Sequence, residues 1–472
     1  MHKRKEIIKS VIKMKYLILK LQTCFYILIL LSTLNTVECF GQNDGQKPPV
    51  NIFMVIEEVN KLSSVSLWPG FKINEIPVAI YDSLNTYLLF STSMPEGFAP
   101  MKLNPEVLLF KGQHPFVRGN SIVRFGETWT ATSVLSNYSR RTNELYTVRD
   151  MAGIIVHEQF HVFQRINHPH WRQNDGVLLF YPVETEEAFF LRRIEKEAFR
   201  RAVTSENMEE KAGWVKTAFH YREQRMSQLG FQFSIYEKEL QRTEGLSEYI
   251  EKIARNLDSF NALNITNGIA PAGVRDLGYI EGRWIAMILD KFEPGWKFIL
   301  EQNDSLYLED ILKDIISKSP YSEILFNEEE IDKVRDSIKE ELNNWLSNKK
   351  EDIKKYKESP GYCIEIKSSS NPFNIRIFDP LEIEILDDGG VYHRVIFSAT
   401  NNSGSLRIQN HPCISYFDNS HRLTKLVIFG LKEAPVIIEN ENKFSLKYDN
   451  ITIELKYSKV NIDDTTYSFE IL

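Results

Sequence analysis

The residues best suited to chemistry are His157-Glu158-Gln159-Phe160-His161. On a helix, positions i and i+4 share a face, so both imidazoles can point at one ion. Glu158 stands beside them, where a carboxylate can take a proton from metal-bound water. Zinc lowers the pKa of such a water towards neutrality and polarises a carbonyl. The surroundings favour this over two locally bonded core histidines. Met151, Ile154, Ile155, Val156, Phe160, Val162 and Phe163 make the segment apolar nearly all round. Three polar side chains in such a helix are costly to bury without partners, and one cation serves two of them. Thr147-Val148-Arg149-Asp150 has the form of a capping box, so the helix is predicted to start there.

A third ligand is needed. A third histidine in the metzincin register would follow a Gly at 164 and stand at 167, but those positions hold Gln164 and Asn167. His168 and His170 are out of register, in a loop with Pro169. The other common solution is a Glu on a later helix. Thr243-Glu244-Gly245-Leu246-Ser247-Glu248-Tyr249 fits it, and Gly245 lets two helices approach closely. Glu184-Thr185-Glu186-Glu187 is the competing source, or else the charged start of the next helix.

With these two motifs the chain resembles the gluzincin metallopeptidases, and in particular compact gluzincin-like proteins of bacteria. The resemblance covers two short segments within residues 147–290. It implies His157, His161 and Glu244 as zinc ligands and Glu158 as general base. It implies Glu248 as an acid that hydrogen-bonds a ligand histidine. Tyr279-Ile280-Glu281-Gly282 resembles the Tyr-x-x-Gly segment that supplies an oxyanion donor, which makes Tyr279 the first candidate for that role. His220, Tyr249 and Arg283 stand behind it. The Gly-x-Met-Glu-Asn segment of gluzincin aminopeptidases is absent. The implied function is a zinc-dependent peptidase acting on peptides or proteins. The alternative is a zinc-binding but non-catalytic exported protein that works through its C-terminal part. The strand-like runs Ser121–Phe125 and Thr128–Ser133 are candidates for an edge along which an extended peptide lies. Phe160, Phe163, Phe189 and Phe190 are candidates for a hydrophobic subsite, or for core.

The elements that must position these residues divide the chain. Residues 1–41 read as a signal peptide, basic from Lys3 to Lys20, then apolar from Cys24 to Leu34, then small and polar. That implies a secreted or periplasmic protein with no membrane span after cleavage. A retained anchor, or a lipid on Cys39, is the weaker reading. Residues 42–146 form an N-terminal α/β part, with a helix near Ile52–Leu62 and strands near Pro77–Tyr81, Thr86–Phe90, Ser121–Phe125 and Thr128–Val134. Residues 147–358 are mainly helical, closed by a charged helix over Glu328–Lys357. Residues 361–472 carry short β-branched and aromatic runs, at Val391–Ser398, Leu423–Ile428, Val436–Ile438, Phe444–Tyr448, Ile451–Tyr457 and Tyr467–Leu472. The expected class is therefore α+β: a mixed N-terminal sheet with a mainly helical zincin-type domain, followed by a C-terminal antiparallel β-sandwich or barrel.

Charge narrows the partners. The chain has 57 Lys+Arg against 64 Asp+Glu. Without residues 1–41 the remainder is a formal −12, with no basic stripe, which argues against nucleic acid. Cys363 and Cys413 are the cysteines outside the signal, either a disulfide or two separate thiols.

Overall fold

A computed structural model describes residues 50–136, 145–182, 185–255, 270–368, 370–440, 443–456 and 458–471. The signal-like segment, residues 42–49 and Glu184 lie outside them. The protein is α+β, with a mixed N-terminal sheet, a helical middle and C-terminal sheets.

Helix α1 (Ile52–Leu62) is capped by the Asn51 side chain and buries Val55, Ile56 and Val59. Strands β1 (Val78–Tyr81), β2 (Asn85–Leu89), β3 (Ala99–Pro100), β4 (Leu108–Lys111), β5 (Ser121–Phe125) and β6 (Thr128–Val134) form a sheet of order β3-β4-β2-β1-β6-β5. β1 and β6 are parallel and the other neighbours antiparallel. Among the described strands, β5 therefore ends the sheet.

Helix α2 (Val148–Asn167) begins at the predicted capping box. Thr147 Oγ1 accepts from Asp150 N, and the Asp150 carboxylate accepts from Thr147 N. It stops at His168, where Pro169 disfavours helical geometry for the residue before it. Met151, Ile155, Phe160 and Phe163 pack with α1 and the sheet in one core. Gln159, also buried, donates to the carbonyls of Ile73 (3.0 Å) and Ile76 (2.6 Å), which pins α2 to the entry of β1. Phe160, Phe163, Phe189 and Phe190 all belong to this core.

Next come α3 (Glu186–Thr204), α4 (Met208–Gln228) and α5 (Phe231–Leu240). A single π-type turn (Gln241–Gly245) joins α5 to α6 (Leu246–Ala254). Then follow α7 (Ala270–Phe292), α8 (Trp296–Glu301), α9 (Leu308–Ser317) and α10 (Glu328–Lys357), the last with the predicted bounds. The π-type turn crosses α7 with backbone in contact. A Cβ on Gly245 would lie 2.5 Å from Gly282 Cα, and one on Gly282 would lie 2.4 Å from the Gln241 carbonyl oxygen. Only glycine fits at either position.

A buried ionic network ties these helices together. Arg222 holds Glu195 (2.6 Å), Glu281 (2.5 Å) and Glu309 (3.1 Å), and Arg225 holds Glu195 (2.7 Å) and Glu237 (2.7 Å). Gln241 of the π-type turn donates to Glu281 at 3.0 Å.

The C-terminal part holds two sheets. One runs β18 (Ser458–Asp463), β19 (Thr466–Ile471), β7 (Tyr362–Lys367), β14 (Leu423–Leu431), β13 (Cys413–Phe417), β10 (Val391–His393), β9 (Ile383–Ile385). The other runs β15 (Val436–Asn440), β16 (Lys443–Tyr448), β17 (Ile451–Lys456), β12 (Gly404–Gln409), β11 (Ile396–Asn401), β8 (Asn374–Phe378). Their inner faces share one core, including Ile364, Leu426, Leu406 and Ile453, as in a sandwich. Two details depart from the sequence reading. The run Val391–Ser398 is two strands, one in each sheet. The β19–β7 pair is parallel within otherwise antiparallel sheets. Cys363 and Cys413 carry separate thiols.

The network predicts a pH profile for stability. Burial would raise Glu237 and Glu309, but Arg225 and Arg222 respectively hold them down to about 2. Their stabilisation is full above the ordinary carboxyl value and is lost as pH falls through the folded value. Glu281 runs the other way. Burial pushes it up to about 7 against the pull of Arg222, so its cost to stability grows as pH rises from the ordinary carboxyl value, is complete above about 7, and is relieved as pH falls. The melting temperature of chelator-treated protein should peak near about pH 4.5 to 5, decline from there towards about pH 7, and drop steeply from about 4.5 towards 2. A curve still flat at about pH 3 contradicts this.

Candidate metal centre

Helix α2 brings His157, Glu158 and His161 to one wall of a cleft of about 450 Å³. The π-type turn brings Glu244 to the same place, and α7 adds Arg275 and Tyr279. His161 Nε2 lies 3.1 Å from His157 Nε2 and 3.0 Å from Glu244 Oε2. His157 Nε2 lies 3.8 Å from the same oxygen. These separations suit three corners of a tetrahedron around an ion held at roughly 2.0–2.2 Å from each donor.

Neighbouring groups fix which atoms carry hydrogen. Gln164 Nε2 donates to the Thr243 carbonyl at 3.0 Å, which turns its Oε1 towards His161 Nδ1 at 2.9 Å. That oxygen can only accept, so Nδ1 carries the proton and Nε2 offers a lone pair. Glu251 Oε2 lies 3.3 Å from His157 Nδ1 and biases that ring the same way. Glu244 divides its oxygens. Oε1 accepts from Arg275 (2.8 Å) and Gln173 (3.0 Å), and Oε2 faces the histidines. Three acceptors thus converge with no donor between them. Such an arrangement needs a positive charge at its centre, either extra protons or a metal ion.

The electrostatics agree. Burial works against a charge on His157, but Glu244, Glu251 and Glu158 outweigh it and hold its imidazolium well above the usual histidine range. Burial likewise opposes charge on Glu244, yet His161 and Arg275 hold its carboxyl well below the usual range. Glu158 goes the other way, pushed up by burial against the pull of His157 and His161. Its carboxylate makes no hydrogen bond or ion pair with any described residue.

Each sequence-predicted residue can now be placed. His157, His161 and Glu244 meet, and Glu158 lines the cleft beside them. Tyr279 is there too, its ring stacked on His157 at 6.2 Å between centroids and its hydroxyl accepting from Arg275. Burial and Glu244 push that phenol well up, so it stays protonated. Glu248 stands with Glu251 beside His157, their donor atoms within 4.8 Å of one another. Arg283 and Lys252 pair with the Glu248 carboxylate, each at 3.1 Å, and Glu251 comes nearer His157, its Oε2 3.3 Å from Nδ1. His220 contacts Gln224, Tyr249 donates to Asp290, and Arg283 holds Glu248, all outside the cleft lining. Glu186 and Glu187 are the charged first turn of α3, with Glu187 on Arg335. His168 lines the cleft but is held by Asp304 and Glu301.

Gln164, Gln173, Glu251 and Arg275 were not foreseen as parts of the site. Glu251 had a signal, since it lies seven residues after Glu244 on the same helical face. Gln164 had one too, three residues after His161. Gln173 and Arg275 had none. No family model, curated protein or solved structure matches the chain.

Replacing Gln164 by Leu removes the acceptor on His161 Nδ1 while keeping the side chain's bulk. Zinc affinity, measured by competition with a chromophoric chelator, should fall about 10- to 100-fold with far-UV circular dichroism unchanged. Unchanged affinity would refute the orienting role.

Proposed function

We propose that the chain is an exported zinc-dependent peptidase, with His157, His161 and Glu244 as ligands and Glu158 as general base. The observation that carries this reading is the convergence of three lone pairs in an open cleft beside a carboxylate that no described residue engages. A purely structural metal site closes its coordination with protein groups, whereas a hydrolytic one keeps a position open. When bound, zinc supplies a Lewis acid that activates water and polarises a carbonyl.

The chain's own groups do the rest. Glu158 takes a proton from the attacking water at its carboxylate and returns it to the leaving amine. Burial raises its pKa above the ordinary carboxyl value, which strengthens it as a base. Tyr279, kept protonated, is the donor assigned to the developing oxyanion. Gln173 and Arg275 keep Glu244 from turning away from the histidines. Ser121 and Ile122 of β5 line the cleft, and among the described strands β5 is the end strand of its sheet. An extended peptide can add to that edge by main-chain hydrogen bonds.

Export rests on the sequence of residues 1–41. Among the described residues, no helix is long and apolar enough to cross a membrane.

Glu158→Gln tests the chemistry. The variant should bind one zinc per chain as the wild type does, while peptide-library cleavage falls at least about a hundredfold, the low end of what general acid–base groups contribute. Zinc retained with full cleavage would overturn the role of Glu158. No cleavage by the zinc-loaded wild type would overturn the peptidase reading.

A further inference from the structure

Beyond its metal-binding corner the cleft is basic. Arg165, Arg172 and Arg275 line it, against only two carboxylates among the lining residues, Glu158 and Glu244. Glu244 faces Arg275 and the two histidines, which leaves it no charge to spare. Arg165 and Arg172 keep theirs, since neither forms an ion pair or hydrogen bond through its side chain with a described residue. Glu239 feels the Arg172 charge only from beyond ion-pair distance. Elsewhere Arg193, Arg201 and Arg335 each hold a carboxylate. In a chain with a formal charge of −7, two guanidiniums without an ion pair lining one cleft are a specific feature.

Arg165 is held in position by packing, and Arg172 stands on a turn whose root is fixed. Arg165 follows Glu158 and His161 along one face of α2, at i+7 and i+4. Its Cα is therefore about 10 Å and about 6 Å along the axis from theirs. Its guanidinium lies over the Trp129 ring at 5.0 Å, and its Nε is buried with no partner. Arg172 stands on the turn after α2. The root of that turn is fixed by Trp171, stacked on His168 at 3.8 Å between centroids, and by His168, gripped by Glu301 and Asp304. A planar fork packed like that of Arg165 recognises a carboxylate with two parallel hydrogen bonds, and Arg172 adds a second guanidinium to the same cleft.

We propose that Arg165 and Arg172 bind a carboxylate of the substrate, so that the cleft selects acidic peptides. The distance from Glu158 to Arg165 corresponds to about three residues of extended chain, which places the anionic group that far from the cleaved bond. The inference rests on the peptidase reading above. The carboxylate has two sources, an acidic side chain or a free C-terminus.

The test uses the full chain carrying Glu158→Gln, loaded with zinc, so that binding is read without turnover. Three labelled peptides of equal length are titrated by fluorescence anisotropy at low salt. One has an internal Glu and an amidated end, one is neutral and amidated, and one is neutral with a free C-terminal carboxylate. One carboxylate peptide should bind about 10-fold or more tighter than the neutral amide, as hydrogen bonds between charged groups imply. Which one it is identifies the source. The preference should vanish on adding Arg165→Gln and Arg172→Gln, with zinc content and affinity for the neutral amide unchanged. Arg172→Gln alone, on an exposed turn, should reduce it in part and serves if the combined variant does not fold. Equal affinity for all three, no binding of any, or a preference that survives both substitutions overturns the proposal. Cleavage of the same peptides by the wild type is scored separately. Selective binding without cleavage would sink the peptidase reading and leave the anion recognition standing.

Discussion

Two imidazole nitrogens and a carboxylate oxygen meet within 3.0–3.8 Å, each turned to present an electron pair. Without a positive charge at their centre these groups repel and lose hydration. Much of the surrounding architecture follows from that constraint. Gln164 sets the His161 tautomer and the Glu251 carboxylate faces His157 Nδ1 at 3.3 Å, while Gln173 and Arg275 hold the far oxygen of Glu244. Each of these four comes from a different segment or turn, so the site is fixed from several directions at once.

Bringing Glu244 to α2 requires a break in helix geometry and an unusually close crossing. The π-type turn at Gln241–Gly245 re-aims the chain, as such turns often do at functional sites. Gly245 and Gly282 then allow the turn to touch α7 backbone to backbone. The buried network around Arg222 and Arg225 ties α7 to α3, α4, α5 and α9, with Gln241 linking it to the turn. The C-terminal sandwich has a part in this. Ile383 and Val391 pack with Leu240 and Val274, next to the turn and at the start of the helix that carries Arg275 and Tyr279.

Much of this was legible from local sequence. The capping box, the apolar face of α2 and the long charged helix are short-range patterns, and they fell where expected. The Glu244-Gly245 pair at the start of a helix, similar to the gluzincin Glu-Gly segment, pointed to Glu244, and the structure sets it beside both histidines. Features that depend on distant partners were not legible. Glu248 and Glu251 lie on nearly the same helical face, and only the position of Arg283 on α7 decides which comes nearer His157. Arg275 and Gln173 are ordinary residues until the fold sets them on Glu244. The split of Val391–Ser398 follows from strand pairing, since a short apolar run does not say which sheet it joins. The aromatic pairs Phe160/Phe163 and Phe189/Phe190 read equally well as pocket or core, and packing made them core.

The central claim is that His157, His161 and Glu244 hold one zinc ion. Crystals of the full chain grown with stoichiometric zinc, with diffraction recorded on both sides of the zinc absorption edge, test it most directly. The account predicts a single anomalous peak about 2.0–2.2 Å from His157 Nε2, His161 Nε2 and Glu244 Oε2. No peak there, or zinc bound only at other side chains, would contradict it.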